Sequence, residues 1–347
     1  MLILALISLS TLKSIAPDLA TQQFIFWLLA GTVFLISRKI NFSYLSKFSW
    51  PLYLILIFLL ILVFFVGHIS RGSSRWFDLY FFRIQPSQLA IPFVGILLSN
   101  FLAERNIRKI KNLLLYLFLL AIPGILILIE PDLGSTLIYL LTLSTILFLS
   151  KLSGKIIFLF IFLAILLTGF SWQFLFHDYQ KNRIYSFLDP QSTTNYNAQQ
   201  AMIAVGAGGL WGKGLGRGTQ SHLRFLPERQ TDFIFASFAE EWGLIGSLIL
   251  LSSYSAILIF LLSYALRIKD PAQHYFLLVT ATAVTAQALV NIGMNIGILP
   301  ITGVTLPLVS YGGSSLLSLA LLLGLSANII DHYQHDLTWE IGENLVE

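Results

Sequence analysis

Five carboxylates stand where polar sequence gives way to apolar sequence, and these are the side chains best placed to do chemistry. Asp232 lies in Leu226-Pro227-Glu228-Arg229-Gln230-Thr231-Asp232-Phe233-Ile234-Phe235-Ala236, at the end of a polar run over about 177–232; apolar sequence then continues to about Leu266. A carboxylate at such a junction suits general-base work on a substrate held at the boundary. It equally suits a helix N-cap, since Thr231 or Asp232 would precede the first helical turn and the N-terminus favours negative charge. Spacing alone leaves both readings open. Glu240 and Glu241 lie two turns deeper in apolar surroundings, where ionisable groups are costly and are usually paired, turned inward and often functional. Glu130-Pro131-Asp132-Leu133-Gly134-Ser135 is a tight turn between two apolar runs, in which Asp132 either caps the following helix or adds a second carboxylate to the same cavity.

Cations accompany these acids. Segment 68–84 carries His68, Arg71, Arg75, Trp76, Asp78 and Arg83, and the large polar run carries Lys181, Arg183, Lys213, Arg217, Arg224 and Arg229. They form either an ordinary solvated surface or a site for an anion such as the phosphate or pyrophosphate of a lipid. The candidates for substrate binding are Arg75, Trp76, Glu130, Asp132, Lys213, Arg217, Arg229, Gln200 and Ser310. Gly206-Ala207-Gly208-Gly209-Leu210-Trp211-Gly212-Lys213-Gly214-Leu215-Gly216 has neither the preceding strand nor the Gly-Lys-Ser/Thr ending of a nucleotide-binding loop. Its glycines are expected to allow tight turns or close backbone approach. Residues 299–307 and 310–315 are similarly rich in Gly, Pro and hydroxyls, a backbone tolerated at membrane depth only inside protein or beside a wet cavity.

The elements that must position these residues are membrane helices. Hydrophobic residues make up 56% of the chain and charged residues 11%, so one integral membrane domain over 1–347 is expected rather than two soluble ones. The fold class is all-α, with about ten spans: 1–13, 21–37, 48–67, 85–103, 112–129, 132–150, 155–176, 233–266, 273–297 and 311–330. The first is short for a hydrocarbon layer of about 30 Å, and the eighth is long enough to tilt or to leave the bilayer. Pro92 and Pro123 are expected to kink their helices. Arg38, Lys39, Lys47, Arg105, Arg108, Lys109, Lys111, Lys151, Lys155, Arg267 and Lys269 fall in loops on one side, which is therefore cytoplasmic. The loops 68–84, 177–232 and 298–310 are then extracytoplasmic, and a short acidic cytoplasmic tail follows at 331–347. The chain has no Cys, which excludes a disulfide framework, a thiol nucleophile and a cysteine metal site. No cleavable signal peptide is evident. The formal charge of +4 is scattered among loops and gives no nucleic-acid signal.

Several segments resemble the SEDS family (shape, elongation, division and sporulation). They are Arg75-Trp76, Gln85-Pro86-Ser87, Glu130-Pro131-Asp132-Leu133-Gly134, His177-Asp178-Tyr179-Gln180, Leu188-Asp189-Pro190, Gly218-Thr219-Gln220-Ser221, Leu226 through Ala236, Asn291-Ile292-Gly293-Met294 and Ser310-Tyr311-Gly312-Gly313-Ser314. The His-Asp-Tyr-Gln and Gly-Thr-Gln-Ser forms favour the elongation-type members over their division-type paralogues. The resemblance implies ten membrane helices in the bacterial cytoplasmic membrane and polymerisation of lipid II at its outer face. It also implies partnership with a class B penicillin-binding protein and other elongation-complex membrane proteins, and it makes the aspartate of Thr-Asp-Phe-Ile-Phe, here Asp232, the essential residue. One departure stands out. Where the family usually reads Gln-Pro-Ser-Glu-x-x-Lys, this chain has Gln88 and Ile91. Both charges of a pair that could meet at i and i+3 are lost together, which costs far less than stranding one of them in a membrane.

On this reading a sugar hydroxyl attacks an anomeric carbon and polyprenyl pyrophosphate leaves. Asp232 is the candidate base, and loop cations, with a divalent ion (Mg2+ or Mn2+) as a candidate cofactor, hold the leaving group. A lipid II flippase or other transporter is the alternative, disfavoured because no internal repeat and no paired broken helices are visible. A passive scaffold would leave the intramembrane carboxylates unexplained.

Overall fold

The computed structural model describes residues 1–70, 73–78, 83–150, 196–223 and 225–344, with scattered residues between 152 and 187. Outside them lie Arg71, Lys151, Lys155, Arg183, Arg224, segments 177–180 and 188–190, and most of the seventh expected span. The helices are α1 (Leu2–Ile15), α2 (Pro17–Lys39), α3 (Phe42–Ser46), α4 (Ser49–Val66), α5 (Ala90–Glu104), α6 (Ile110–Ile129), α7 (Leu133–Leu149), α8 (Tyr196–Gly208), α9 (Thr219–His222), α10 (Ile234–Ala265), α11 (Pro271–Asn295) and α12 (Gly313–Asn344). Among the described residues seven helical stretches are long and apolar enough to cross a membrane; α1 and α7 are shorter apolar helices. Lipid offers no water to a backbone N–H or C=O, so apolar runs of this length close their hydrogen bonds within a helix.

Local chemistry marks the ends. Helix α2 opens on Pro17, where the missing N–H costs nothing, with Asp18 in its first turn and Arg38 and Lys39 in its last, matching its dipole. Pro92 is the third residue of α5, behind a 3-10 turn at Pro86–Leu89. In that first turn the missing N–H of Pro92 takes no donor from α5. Pro123 does lie inside α6. The segment expected as a plain loop over 68–84 contains three short antiparallel strands, β1 (His68–Ser70), β2 (Ser73–Asp78) and β3 (Arg83–Ile84), with Phe77 opposite Ile84. Helix α12 runs to Asn344, so the acidic tail is helical over 331–344.

The described chain forms two compact units. One comprises Ile25–Ile146, Ala256–Val284 and Gly313–Glu347. Its helices are joined by small residues and buried polar groups, as membrane packing favours. A Cβ at Gly324 would lie 2.7 Å from the Phe34 carbonyl, so only glycine allows α12 that close to α2. Asn328 accepts from the Phe42 N–H and donates to the Arg38 carbonyl, at 3.0 and 2.8 Å. Tyr116 donates to the Leu143 carbonyl and Tyr139 to the Leu120 carbonyl, tying α6 to α7.

The other unit comprises Met1–Phe24, Leu147–Ser255 and Thr285–Gly312. Here α10, expected to be continuous, is broken at Gly243 (φ 67°, ψ −162°). A break strands backbone groups on both sides, and the glycine-rich segment takes them up. Lys213 and Gly214 donate to the carbonyls of Glu240 and Glu241, both at 3.0 Å. Leu244 and Ile245 donate to the carbonyls of Gly209 and Leu210, at 2.9 and 3.2 Å. Backbone meets backbone here, which leaves no room for side chains. A Cβ on Gly212 (φ 79°) would lie 2.7 Å from the Trp242 carbonyl carbon, with the Glu241 carbonyl closer still. Gly212→Ala is expected to cost about 3 kcal/mol, from positive φ and backbone overlap together. Gly206→Ala, which opens onto space within α8, is expected to stabilise by up to about 1 kcal/mol. Thermal unfolding of both variants in detergent tests the pair: equal midpoints would contradict the close approach.

Candidate functional site

Asp232 is placed by its backbone. The chain turns at Glu228 (φ 49°), whose carbonyl accepts the N–H groups of Thr231 and Phe233 at 3.1 and 3.2 Å. Three successive carbonyls are then held by four residues. Tyr311 N–H donates to the Gln230 carbonyl at 2.9 Å, and Ser310 Oγ to the Thr231 carbonyl at 2.6 Å. The Asp232 carbonyl accepts from Asn291 Nδ2 and Asn295 Nδ2 at 2.9 and 3.0 Å. The two asparagines, i and i+4 on α11, are fully buried and share a face. Ser310 is fixed in turn, accepting from Leu306 N–H at 2.8 Å, and its own carbonyl accepts from Gln23.

The expected capping role of Thr231 or Asp232 is not what the structure shows. The first intrahelical bond runs from Ser237 N–H to the Phe233 carbonyl, so Phe233 is the N-cap and has no side-chain acceptor. Asn295 Oδ1 supplies it from the neighbouring helix, accepting the Ala236 N–H at 3.1 Å. The Asp232 carboxylate, on a half-buried residue, lies beside Gly303 (φ 77°), where an added Cβ would be 3.5 Å from Oδ2. Phe233 and Ala236 pack with Ala201, Ala204 and Leu226 in a buried core, which seats α8 against the turn. Sequence reasoning gave neither asparagine a role, although Asn291 heads one of the resembling segments; the available signal was two amides at i, i+4 within an apolar span.

Glu240 and Glu241, both buried, close the next layer. Glu240 accepts from Lys213 Nζ at 3.2 Å, from Ser221 Oγ at 2.8 Å, and from the N–H groups of Gln220 and Ser221 at 2.9 and 3.0 Å. Glu241 Oε1 meets His222 Nε2 at 2.9 Å and Gly216 N–H at 3.1 Å, and Ser14 Oγ donates to it. These acids are thus ligands for the loop's own groups. Lys213, expected at a substrate, is neutralised by Glu240. Arg229 donates to the Ser221 carbonyl, and Arg217 is exposed. Gln200 is half-buried on α8.

In the other unit, Arg75 Nε and Nη2 donate to the carbonyls of Glu130 and Pro131 at 2.7 and 2.6 Å. Asp132 caps α7, accepting the Ser135 N–H at 3.0 Å, and also accepts from Gln85 Nε2 at 2.7 Å. Trp76, next to Arg75 on β2, is half-buried. Glu130 is 1% exposed and neither carboxyl oxygen has a hydrogen-bond partner. Burial, then the charge of Asp132, pushes its pKa up to about 8, with Arg75 pulling the other way.

Comparison with known proteins agrees with the geometry. The family profile FTSW_RODA_SPOVE, described as cell cycle protein, matches residues 1–335. The chain belongs to the SEDS family. Among SEDS relatives, the peptidoglycan glycosyltransferase MrdB of Escherichia coli (strain K12) is 43% identical over 290 residues, 81% of this chain and 77% of that protein. The probable peptidoglycan glycosyltransferase FtsW of Wigglesworthia glossinidia brevipalpis is 37% identical over 311 residues, 86% of this chain and 80% of its own. A solved structure described as structural coordination of polymerization and crosslinking by a peptidoglycan synthase complex superposes with TM-score 0.83 at 30% identity, covering 96% of each chain. The crystal structure of the rod shape determining protein RodA of Thermus thermophilus gives TM-score 0.72 at 28% identity, covering 94% of this chain and 93% of that one. This SEDS chain is a multi-pass membrane protein. Where the family's charged pair is missing, Gln88 lies 3.5 Å from Ser135 Oγ and Ile91 is buried.

Two outcomes follow for this SEDS chain. Asn295→Leu leaves the Ala236 N–H unsatisfied and is expected to cost about 1–3 kcal/mol, read as a lower unfolding midpoint. An unchanged midpoint would remove Asn295 as the cap. Glu130 is protonated in both states below its ordinary value of 4.5. As pH rises from there toward about 8, the unfolded chain ionises first, so the stability it contributes is progressively lost. Glu130→Gln is expected to flatten the dependence of the midpoint on pH across that window; a slope equal to the parent's would refute the buried neutral acid.

Proposed function

We propose that this chain is a peptidoglycan glycosyltransferase of cell elongation, which polymerises lipid II at the outer face of the cytoplasmic membrane with Asp232 as general base. The observation that carries it is the immobilised Asp232: three adjoining carbonyls are pinned, while the carboxylate stands beside Gly303 on a half-buried residue. A base must be held within hydrogen-bond reach of the proton it removes, and a fixed backbone supplies that constraint. The MrdB relatives are named for the same activity.

In the reaction a hydroxyl oxygen of one lipid II sugar bonds to the anomeric carbon of the growing chain. The bond from that carbon to pyrophosphate breaks, and the hydroxyl proton passes to the Asp232 carboxylate. Polyprenyl pyrophosphate leaves with the bonding electrons, and positive charge nearby lowers the barrier. Lys213 is committed to Glu240, so Arg217 and Arg229 are the basic residues of this unit proposed to meet the pyrophosphate. Arg75, Trp76, Glu130 and Asp132 are proposed as a second polar region for substrate, with Arg75 shaping the turn. Among the described residues no three His, Cys, Asp or Glu side chains converge on one point. Asp232 is the residue that would hold a Mg2+ or Mn2+ ion together with substrate phosphate, since such ions commonly bind through one or two carboxylates plus phosphate. Bound so, the ion would neutralise charge on the leaving group. The proposed partner is a class B penicillin-binding protein, supported by likeness to a chain of a complex that couples polymerization to crosslinking.

The break at Gly243 favours a second reading, lipid transport, because interrupted helices build transport sites. Labelled lipid II separates the two. Asp232→Asn, purified with its partner, is expected to lose about 100-fold or more in chain-lengthening rate, the scale of a removed base, at an unchanged unfolding midpoint. Polymer formed at the parent rate would end the assignment, and movement of lipid II between leaflets without lengthening would favour transport.

A further inference from the structure

Residues 196–212 contain no Asp, Glu, Lys or Arg, although the segment belongs to a stretch expected to be aqueous loop. Helix α8 buries Ala201, Ala204 and Gly208 against the protein and turns Met202 and Ile203 outward. The glycine-rich turn that follows exposes Leu210 (62%) and Trp211 (80%). A solvated loop has no reason to show four large apolar side chains along a charge-free stretch. Their neighbour explains them. The Leu210 carbonyl accepts the Ile245 N–H, so the turn sits against the beginning of the second part of α10. From Leu244 that part runs 22 residues to Ala265, about 33 Å at 1.5 Å per residue, enough by itself to span the hydrocarbon. Leu244, Ile245 and Leu248 on it are exposed and apolar, as a lipid-facing surface requires. The apolar face of α8 and its turn continues that surface at the end nearer Asp232.

We propose that the outward face of α8 and the glycine-rich turn, centred on Ile203, Leu210 and Trp211, is inserted into the interfacial layer of the outer leaflet, with lipid as its occupant. Tyr196 and Trp211 at the two ends suit the boundary between headgroups and hydrocarbon, where amphipathic aromatic rings collect. The open backbone of the turn is tolerable at that depth because α10 satisfies it. Because α8 also packs on Phe233 and Ala236, its insertion sets the depth of the adjoining Asp232 relative to the lipid phosphates.

The absence of native Cys makes the test direct. Ile203→Cys, Leu210→Cys and Trp211→Cys, each carrying a bimane fluorophore, are reconstituted in nanodiscs of phosphatidylcholine and phosphatidylglycerol. Leu248→Cys serves as the lipid reference and Lys269→Cys as the water reference. A lipid spin-labelled near the top of its acyl chain is expected to quench all three test positions as it does position 248, and aqueous iodide to spare them. Iodide quenching equal to that at position 269 would overturn the proposal. So would protection from both quenchers, which would mean that protein covers the face. Fluorescence reads position and not turnover, so failure here leaves the transferase assignment standing, and loss of that assignment leaves this one.

Discussion

A backbone group that leaves the helical ladder inside apolar sequence has no water to turn to, and the irregular parts of this molecule are organised by that constraint. The break at Gly243 exposes carbonyls before it and N–H groups after it; the 209–214 segment answers with N–H groups and carbonyls in matching order. The turn at 228–233 leaves its own carbonyls outside any helix, and Asn291, Asn295, Ser310 and the Tyr311 N–H take them up. The non-helical backbone stays ordered there because these polar groups have named partners.

The same logic sorts the carboxylates. Glu240 is surrounded by donors, including a lysine, and its charge is spent on holding the loop in place. Asp132 is likewise committed, to a cap and an amide. Glu130 has no donor and keeps its proton instead, which is how a buried acid without a partner avoids the cost of ionisation. At Asp232 the backbone carbonyl is held as well, by Asn291 and Asn295.

Glycine has two physical roles here. At 324 its missing side chain lets α12 approach α2, the familiar small-residue contact of membrane helices. At 212 and 243 it also supplies positive φ, so that two non-helical backbones can hydrogen-bond to each other. Only the first role follows the spacing rules of helices; the second depends on where the chain is interrupted.

Residue order alone determined the helical membrane class and most of the described span boundaries, because hydropathy acts locally along the chain. Tertiary structure decided what those residues touch. That Asn295 caps α10 in place of Asp232, that Lys213 belongs to Glu240, that α10 breaks at Gly243 and that α8 shows apolar side chains outward all depend on contacts between segments far apart in sequence. Pro92 shows the divide in one residue: its type announces a helix breaker, but its place in the first turn, set by where the preceding 3-10 turn ends, means that α5 loses no donor.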